Sequence, residues 1–154
     1  MAQLVMQEMH SITLKINTTP SSTATMSELR QGIENFDEAL NEVVNDFFFM
    51  ADQGYGRSRV SAMAPAVTVT GRRIWGDAAQ DYIFGGDQKY GLGAARETDF
   101  TITYTANGYD YTISGDCCFA NIQELSGATE NVSAISVELR FNGKPTATKT
   151  THST

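Results

Sequence analysis

The chain has 154 residues, 41% of them hydrophobic and 19% charged, with two cysteines and a net charge of −7 at pH 7. That length and apolar fraction suffice for a single globular domain without disulfides or a structural metal, and they exclude a disordered chain. The acidity excludes a protein that wraps nucleic acid by neutralising phosphates, and no apolar run approaches the roughly 20 residues of a membrane-spanning helix.

Met1–His10 reads as an arm without a basic region, a long apolar stretch or a small-residue cleavage site, so no secretion signal is expected. Ile12, Leu14 and Ile16 alternate with Thr13 and Lys15, which predicts a half-buried strand. A Thr- and Ser-rich loop follows. Thr25-Met26-Ser27-Glu28 fits a capping box and predicts a short helical turn ending at Gly32. Residues 36–50 support two readings. Phe36, Leu40, Val43, Val44 and Phe47 fit a helical stripe, while the β-branched and aromatic residues of Val43–Met50 favour a strand.

Residues 66–74 place Val67, Val69, Gly71 and Arg73 on one face of a strand. Asp77 is a natural N-cap for a helix over about 77–84, with Ala79, Tyr82 and Ile83 facing the core and Gly85 at its end. Residues 86–98 read as a glycine-rich loop. Beyond them Phe100, Ile102 and Tyr104 alternate, Asn107-Gly108 predicts a tight hairpin turn, and Tyr109, Tyr111 and Ile113 run back. Residues 117–125 are apolar-rich. Ile135, Val137, Leu139 and Phe141 share a face, Asn142-Gly143 predicts another turn, and residues 145–149 an edge strand. Six or more short strands with frequent turns predict a mainly β sandwich or barrel.

Motifs for chemistry are missing. His10 and His152 stand alone near the termini, so no zinc-ligand spacing exists, and no nucleophile elbow or phosphate-cradling lysine loop is present. Gly54-Tyr55-Gly56 and Gly91-Leu92-Gly93 begin like dinucleotide fingerprints, but arginine stands where the third glycine belongs. Asp77 and Asp81, four apart on the predicted helix, read as a cap and a solvated carboxylate rather than a cation site. Cys117 and Cys118 are adjacent, which fits a reduced protein without a disulfide framework. Asn131-Val132-Ser133 matches a glycosylation acceptor, a match without weight where no secretion signal is expected. No enzyme, cofactor or metal site is expected.

Charge is segregated along the chain. Residues 31–52 carry Glu34, Asp37, Glu38, Glu42, Asp46 and Asp52 and no basic residue. Residues 53–74 carry Arg57, Arg59, Arg72 and Arg73 and no acid. This pattern fits complementary surfaces on neighbouring subunits, and equally two arms of one hairpin pairing with each other.

The run Val67–Phe84 (VTVTGRRIWGDAAQDYIF) resembles the major tail tube proteins of long, non-contractile-tailed bacteriophages, in which a strand, a Gly-Asp and a helix opening on an Ala-Gln-Asp stretch recur in this order. The stretch 38–54, with Asn41-Glu42-Val43 before an aromatic run, is similar to the region leading into that family's inter-subunit hairpin, and 137–149 (VELRFNGKPTATK) to its closing strands. The resemblance implies a tail tube domain over residues 1–154, with an N-terminal arm at 1–10, a long hairpin or loop at about 38–65, one flanking helix and a flexible tail at 150–154. It implies homohexameric rings stacked into a hollow tube in the virion, partnered by tail terminator, baseplate and tape measure proteins. It further implies that phage DNA passes down the lumen without sequence-specific binding. Phe47, Phe48, Phe49, Tyr55, Arg57 and Arg59 are then the expected inter-subunit loop residues, and Asp77, Tyr82 and Ile83 cap and anchor the helix. Val43–Ala51 is more apolar than that family leads one to expect. Rival readings are another tail component, such as a terminator or baseplate tube protein, and a monomeric β-sandwich binding module using Trp75 and residues 86–96.

Overall fold

Apolar and polar side chains alternate along most of this chain, and strands are the result. The computed structural model describes residue 4 and residues 6–153. In chain order the elements are β1 (Thr13–Asn17), β2 (Met26–Glu28), β3 (Ile33–Ala39), β4 (Glu42–Phe48), β5 (Gly56–Met63), β6 (Ala66–Arg72), α1 (Ala78–Ile83), α2 (Gly86–Lys89), β7 (Glu97–Ala106), β8 (Tyr109–Gln123) and β9 (Ala134–Thr151). Single 3₁₀ turns lie at Met9–Ser11, Met50–Asp52 and Gly93–Arg96. Seven strands form one antiparallel sheet in the order β2-β1-β7-β8-β9-β6-β3, curled into a half-barrel, while β4 and β5 form a separate two-stranded sheet.

The inner face of the curled sheet is the core. Leu14 and Ile16, Val67 and Val69, Phe100 and Ile102, Cys117 and Phe119, and Ile135, Val137 and Leu139 are all buried on it. Helix α1 closes the open side with Ala79 and Ile83, and Tyr82 meets Phe119 edge-on at 6.2 Å. Burying each large side chain of this set contributes roughly 1.5–3 kcal/mol. Gly71 is required where β6 meets the start of β3, because a Cβ there would lie 2.2 Å from the Gly32 carbonyl oxygen. Asn107 and Gly108 both take positive φ (53° and 80°), as the tight turn between β7 and β8 demands.

Several expectations change. The capping box at Thr25–Glu28 does not start a helix: residues 26–28 pair with Asn17, Ile16 and Lys15, so their backbone groups are spent on the edge strand β2. Asn142-Gly143 does not turn. Strand β9 runs through it to Thr151, and residues 143–145 oppose the single Gly115, a bulge between the pairs Asp116↔Asn142 and Ser114↔Thr146. The glycine-rich stretch 86–98 contains the one-turn helix α2 and a 3₁₀ turn rather than an open loop. Gly85 does not end α1 in a left-handed conformation. It is extended (φ −65°, ψ 150°) and serves as the N-cap of α2. The arm at 1–10 lies partly outside the described residues. Thr150 and Thr151, in the stretch expected as a tail, pair with Asp110 and Tyr109.

Candidate assembly surface

Residues 36–39 and 42–48 are strand, not helix, because each piece finds an antiparallel partner. Strand β3 pairs with β6 as far as Ala39↔Ala66, and β4 then pairs with β5 from Glu42↔Met63 to Phe48↔Gly56. Asn41 marks the joint. Its φ is +50° and its Nδ2 donates to the Ala64 carbonyl at 2.9 Å, while Ala64 N–H donates to Leu40 O at 3.0 Å. The seven residues of β4 span about 23 Å, which sets the reach of the hairpin. Every residue of β4 and β5 is exposed.

Cross-strand partners share a face, so the register sorts the side chains. One face carries Phe47 opposite Arg57 and Asn45 opposite Arg59, with Phe49 stacked on Phe47 at 6.0 Å between ring centroids. The other carries Phe48 over Gly56, Asp46 bonded by the Ser58 hydroxyl, and Glu42 opposite Met63. The acidic and basic stretches therefore do pair as two arms of one hairpin, but their charges lie on opposite faces. Two ion pairs join the stretches all the same: at the tip Arg57 donates to Asp52 from Nε at 2.7 Å and Nη2 at 2.8 Å, and between β6 and β3 Arg72 Nε donates to Glu34 at 2.9 Å. Phe48 is 72% and Met50 99% exposed, with Val43, Val44 and Tyr55 also uncovered. A lone two-stranded hairpin is marginal in water, and an apolar surface of this kind is the mark of an interface.

The far end of the β3–β6 pair is built differently. Asp77 caps α1 by accepting from Gln80 N–H at 3.1 Å. Gln80 is fully buried. Its Nε2 donates to the carbonyls of Gln31 (2.7 Å) and Arg72 (3.1 Å), and its Oε1 accepts from Ile74 N–H (2.8 Å). Asp81 is not simply solvated. It accepts from Arg73 Nη1 at 3.0 Å and from Gly76 N–H at 3.1 Å. Arg73, directed inward by the strand alternation, donates from Nε to Glu124 at 2.7 Å, and Lys89 reaches the other oxygen of the same carboxylate at 3.1 Å. Burial pushes the Glu124 carboxyl up, and the hydrogen bonds from Arg73 and Lys89 outweigh it, holding Glu124 below its ordinary value. The bond to Glu124 in turn holds the Lys89 ammonium above its ordinary value. Burial raises Tyr82 and pushes the Cys117 thiol up to about 12. Among the described residues no three His, Cys, Asp or Glu side chains converge as a metal site would require, and no helix is long and apolar enough to cross a membrane.

No family model and no curated protein matches this chain. Solved structures do. A chain from the tail of an empty gene transfer agent particle, determined by helical refinement with C6 symmetry, is similar to it with a TM-score of 0.65 at 14% identity, covering 93% of this chain and 99% of that one. A chain from the virion of a native gene transfer agent particle is similar with a TM-score of 0.62 at 12% identity and the same coverage, 93% and 99%. The likeness is one of fold, over almost the whole of both chains, and it agrees with the tail tube-like β architecture expected from the sequence.

Phe47, Phe48, Phe49, Tyr55, Arg57 and Arg59 all lie on the hairpin or its tip, while Asp77, Tyr82 and Ile83 sit on α1, away from it. Three polar residues that organise the α1 end were missed: Gln80, Arg73 and Glu124. Arg73 left a trace in the sequence, since an arginine continuing the inward row Val67, Val69, Gly71 needs a buried carboxylate partner. Nothing local identified Glu124, 51 residues away, as that partner.

Proposed function

We propose that this chain is a structural subunit of a phage-type tail tube, without catalytic activity, that self-assembles into six-membered rings stacked into the hollow conduit for DNA ejection. The observation that carries this reading is the β4–β5 hairpin, apolar on both faces and uncovered in a chain whose sheet already encloses a filled core. Its fold agrees over nearly full length with chains of gene transfer agent tail and virion, one of them from a C6-symmetric assembly. The net charge of −7 suits a lumen that lets DNA pass by repelling phosphate. In this reading Phe47, Phe48, Phe49, Tyr55, Arg57 and Arg59 contact a neighbouring subunit. The tube's ends meet tail terminator and baseplate proteins, its lumen holds the tape measure protein and then the DNA, and the protein resides in the virion after assembly in the host cytoplasm. Negative-stain electron microscopy over a concentration series tests it: hollow tubes or six-fold rings are expected.

The exposed Trp75 favours a second reading, a monomeric binding module for carbohydrate or protein. Monomers at every concentration together with robust binding on a sugar array would replace the tube reading with this one.

A further inference from the structure

The hairpin tip needs a surface to land on, and the structure offers one at the opposite end of the same strand pair. From Ala39↔Ala66, where the hairpin departs, β3 and β6 run about 20 Å to Ile33↔Gly71, and the chain continues from there into Arg72–Trp75. Trp75 is 77% exposed, yet its ring is supported from beneath by the Arg73 guanidinium, 4.0 Å from the ring centroid. Arg73 is itself pinned by Glu124 and Asp81. Tyr90, also exposed, lies over Lys89 at 5.2 Å, and Lys89 bonds the same Glu124 carboxylate. Leu125 and Val132, at the two ends of the β8–β9 connection, are exposed beside this cluster: Leu125 follows Glu124 in the chain, and the Val132 carbonyl accepts from Arg72. Two exposed aromatic rings, Trp75 and Tyr90, thus lie over the cations of a cluster whose charges neutralise one another, and Leu125 and Val132 are exposed on the adjoining connection. Aromatic residues held rigid over arginine are the composition of interface hot spots.

The chemistry of this end selects the occupant. Arg73 and Lys89 are already paired with carboxylates and Arg96 is taken up by the carbonyls of Lys89, Gly91 and Phe119, so this end favours an apolar partner over a polyanion. Its rim carries the exposed carboxylate Asp87, which makes no ion pair among the described residues, and the half-buried Asp77, whose carboxylate caps α1. The hairpin tip is the complement. Phe48, Met50 and Tyr55 are uncovered, Asp52 is closed off by Arg57, and the nearby Arg59 makes no ion pair among the described residues. A chain cannot cover its own Trp75 with its own tip, because the two lie beyond opposite ends of β3. We infer that the Trp75 surface receives the hairpin tip of a second copy of this chain, a head-to-tail contact that propagates without self-complementarity. This inference rests on the assembly reading above and names the receiving site.

The test uses the full chain with Met50 replaced by photoreactive p-benzoylphenylalanine. Labelled and unlabelled protein are mixed so that cross-links between copies are identifiable by peptide mass spectrometry. Cross-links from position 50 to peptides containing Trp75 or Leu125 of another copy are expected. In parallel, Trp75→Ala should leave the thermal unfolding midpoint close to wild type while raising the protein concentration needed for assembly at least ten-fold. Tubes whose cross-links fall on β1, β3 or another hairpin, or that form normally with Trp75→Ala, overturn the inference and leave the tube reading standing. Absence of any cross-link between copies overturns the inference, and monomers alone by electron microscopy would remove its basis as well.

Discussion

Arg73 and Glu124 meet at 2.7 Å with side chains only 4% and 10% exposed, joining the end of β6 to the end of β8 beneath Trp75. Glu124 also holds Lys89, so removing its charge leaves two cations facing an enclosed site. Breaking a buried pair from one side costs about 3–5 kcal/mol. Glu124→Gln keeps the shape and loses the charge, and it should destabilise the chain by about 3 kcal/mol in urea denaturation at pH 7. A loss below about 1 kcal/mol would mean that the cluster is effectively solvated.

The same carboxylate gives the fold an acid limit. Its folded-state value is depressed below the ordinary 4.5 by its two cationic partners, which outweigh burial. The stability it contributes is therefore fully present above that ordinary value and is lost as the pH falls through the lower folded value. The stability difference between wild type and Glu124→Gln should shrink below about pH 4.5 and stay constant from pH 6 to 8. A difference that grows on acidification would contradict the assignment.

Gln80 is the polar centre of α1. Its amide satisfies two carbonyls and one N–H from two separate chain segments, at Gln31 and at Arg72–Ile74. Gln80→Leu fills the same space but strands all three groups, and each stranded buried group costs about 1–3 kcal/mol. Thermal and urea unfolding should report a loss of about 3 kcal/mol or more, larger than that of Asp77→Ala, which removes a single cap worth about 1 kcal/mol.

The strands and α1 were legible because their signals are local. The rows Leu14 and Ile16, Val67 and Val69, and Ile135, Val137 and Leu139 are period-two patterns that one buried face imposes, and Asp77 with two alanines marks the helix start. Residues 36–50 stayed ambiguous because a hairpin apolar on both faces has no clean alternation, and its partner β5 decides the outcome. The turn expected at Asn142-Gly143 failed for a similar reason: β8 supplies a ladder on both sides of it, so the chain bulges rather than reverses. The Arg73–Glu124–Lys89 cluster was invisible because its members come from distant segments. Phe47, Phe48, Phe49, Tyr55, Arg57 and Arg59 fall together on one hairpin because they are close in sequence, and sequence proximity alone made that grouping legible.

Cys117 and Cys118 point to opposite sides of β8, and their chemistry should divide accordingly. Cys117 is fully buried with its thiol pushed up to about 12 by burial, so almost none is thiolate at pH 8. Cys118 is half-buried on the other face. Ellman titration of the native protein at pH 8 should count no more than one thiol per chain, and two in 8 M urea; mass mapping after iodoacetamide should find Cys117 unmodified. Native modification of Cys117 would show that the inner face opens to solvent.

The hairpin should be separable from the fold that carries it. Among the described residues strands β4 and β5 pair only with each other, and the large sheet is already joined at Ala39↔Ala66. Replacing residues 41–64 by Asn-Gly leaves Leu40 and Pro65 connected by a two-residue turn suited to the ends of an antiparallel pair. The shortened chain should fold, with its thermal midpoint within about 4 °C of wild type, since a change near 1 kcal/mol moves a domain of this size by that much. It should also lose Phe47, Phe48, Phe49 and Met50 from its surface and stay monodisperse by light scattering where the full chain assembles. Tubes formed by the shortened chain would remove the hairpin from the assembly mechanism. A shortened chain that fails to fold would show instead that the hairpin stabilises the edge of the half-barrel through β3 and β6.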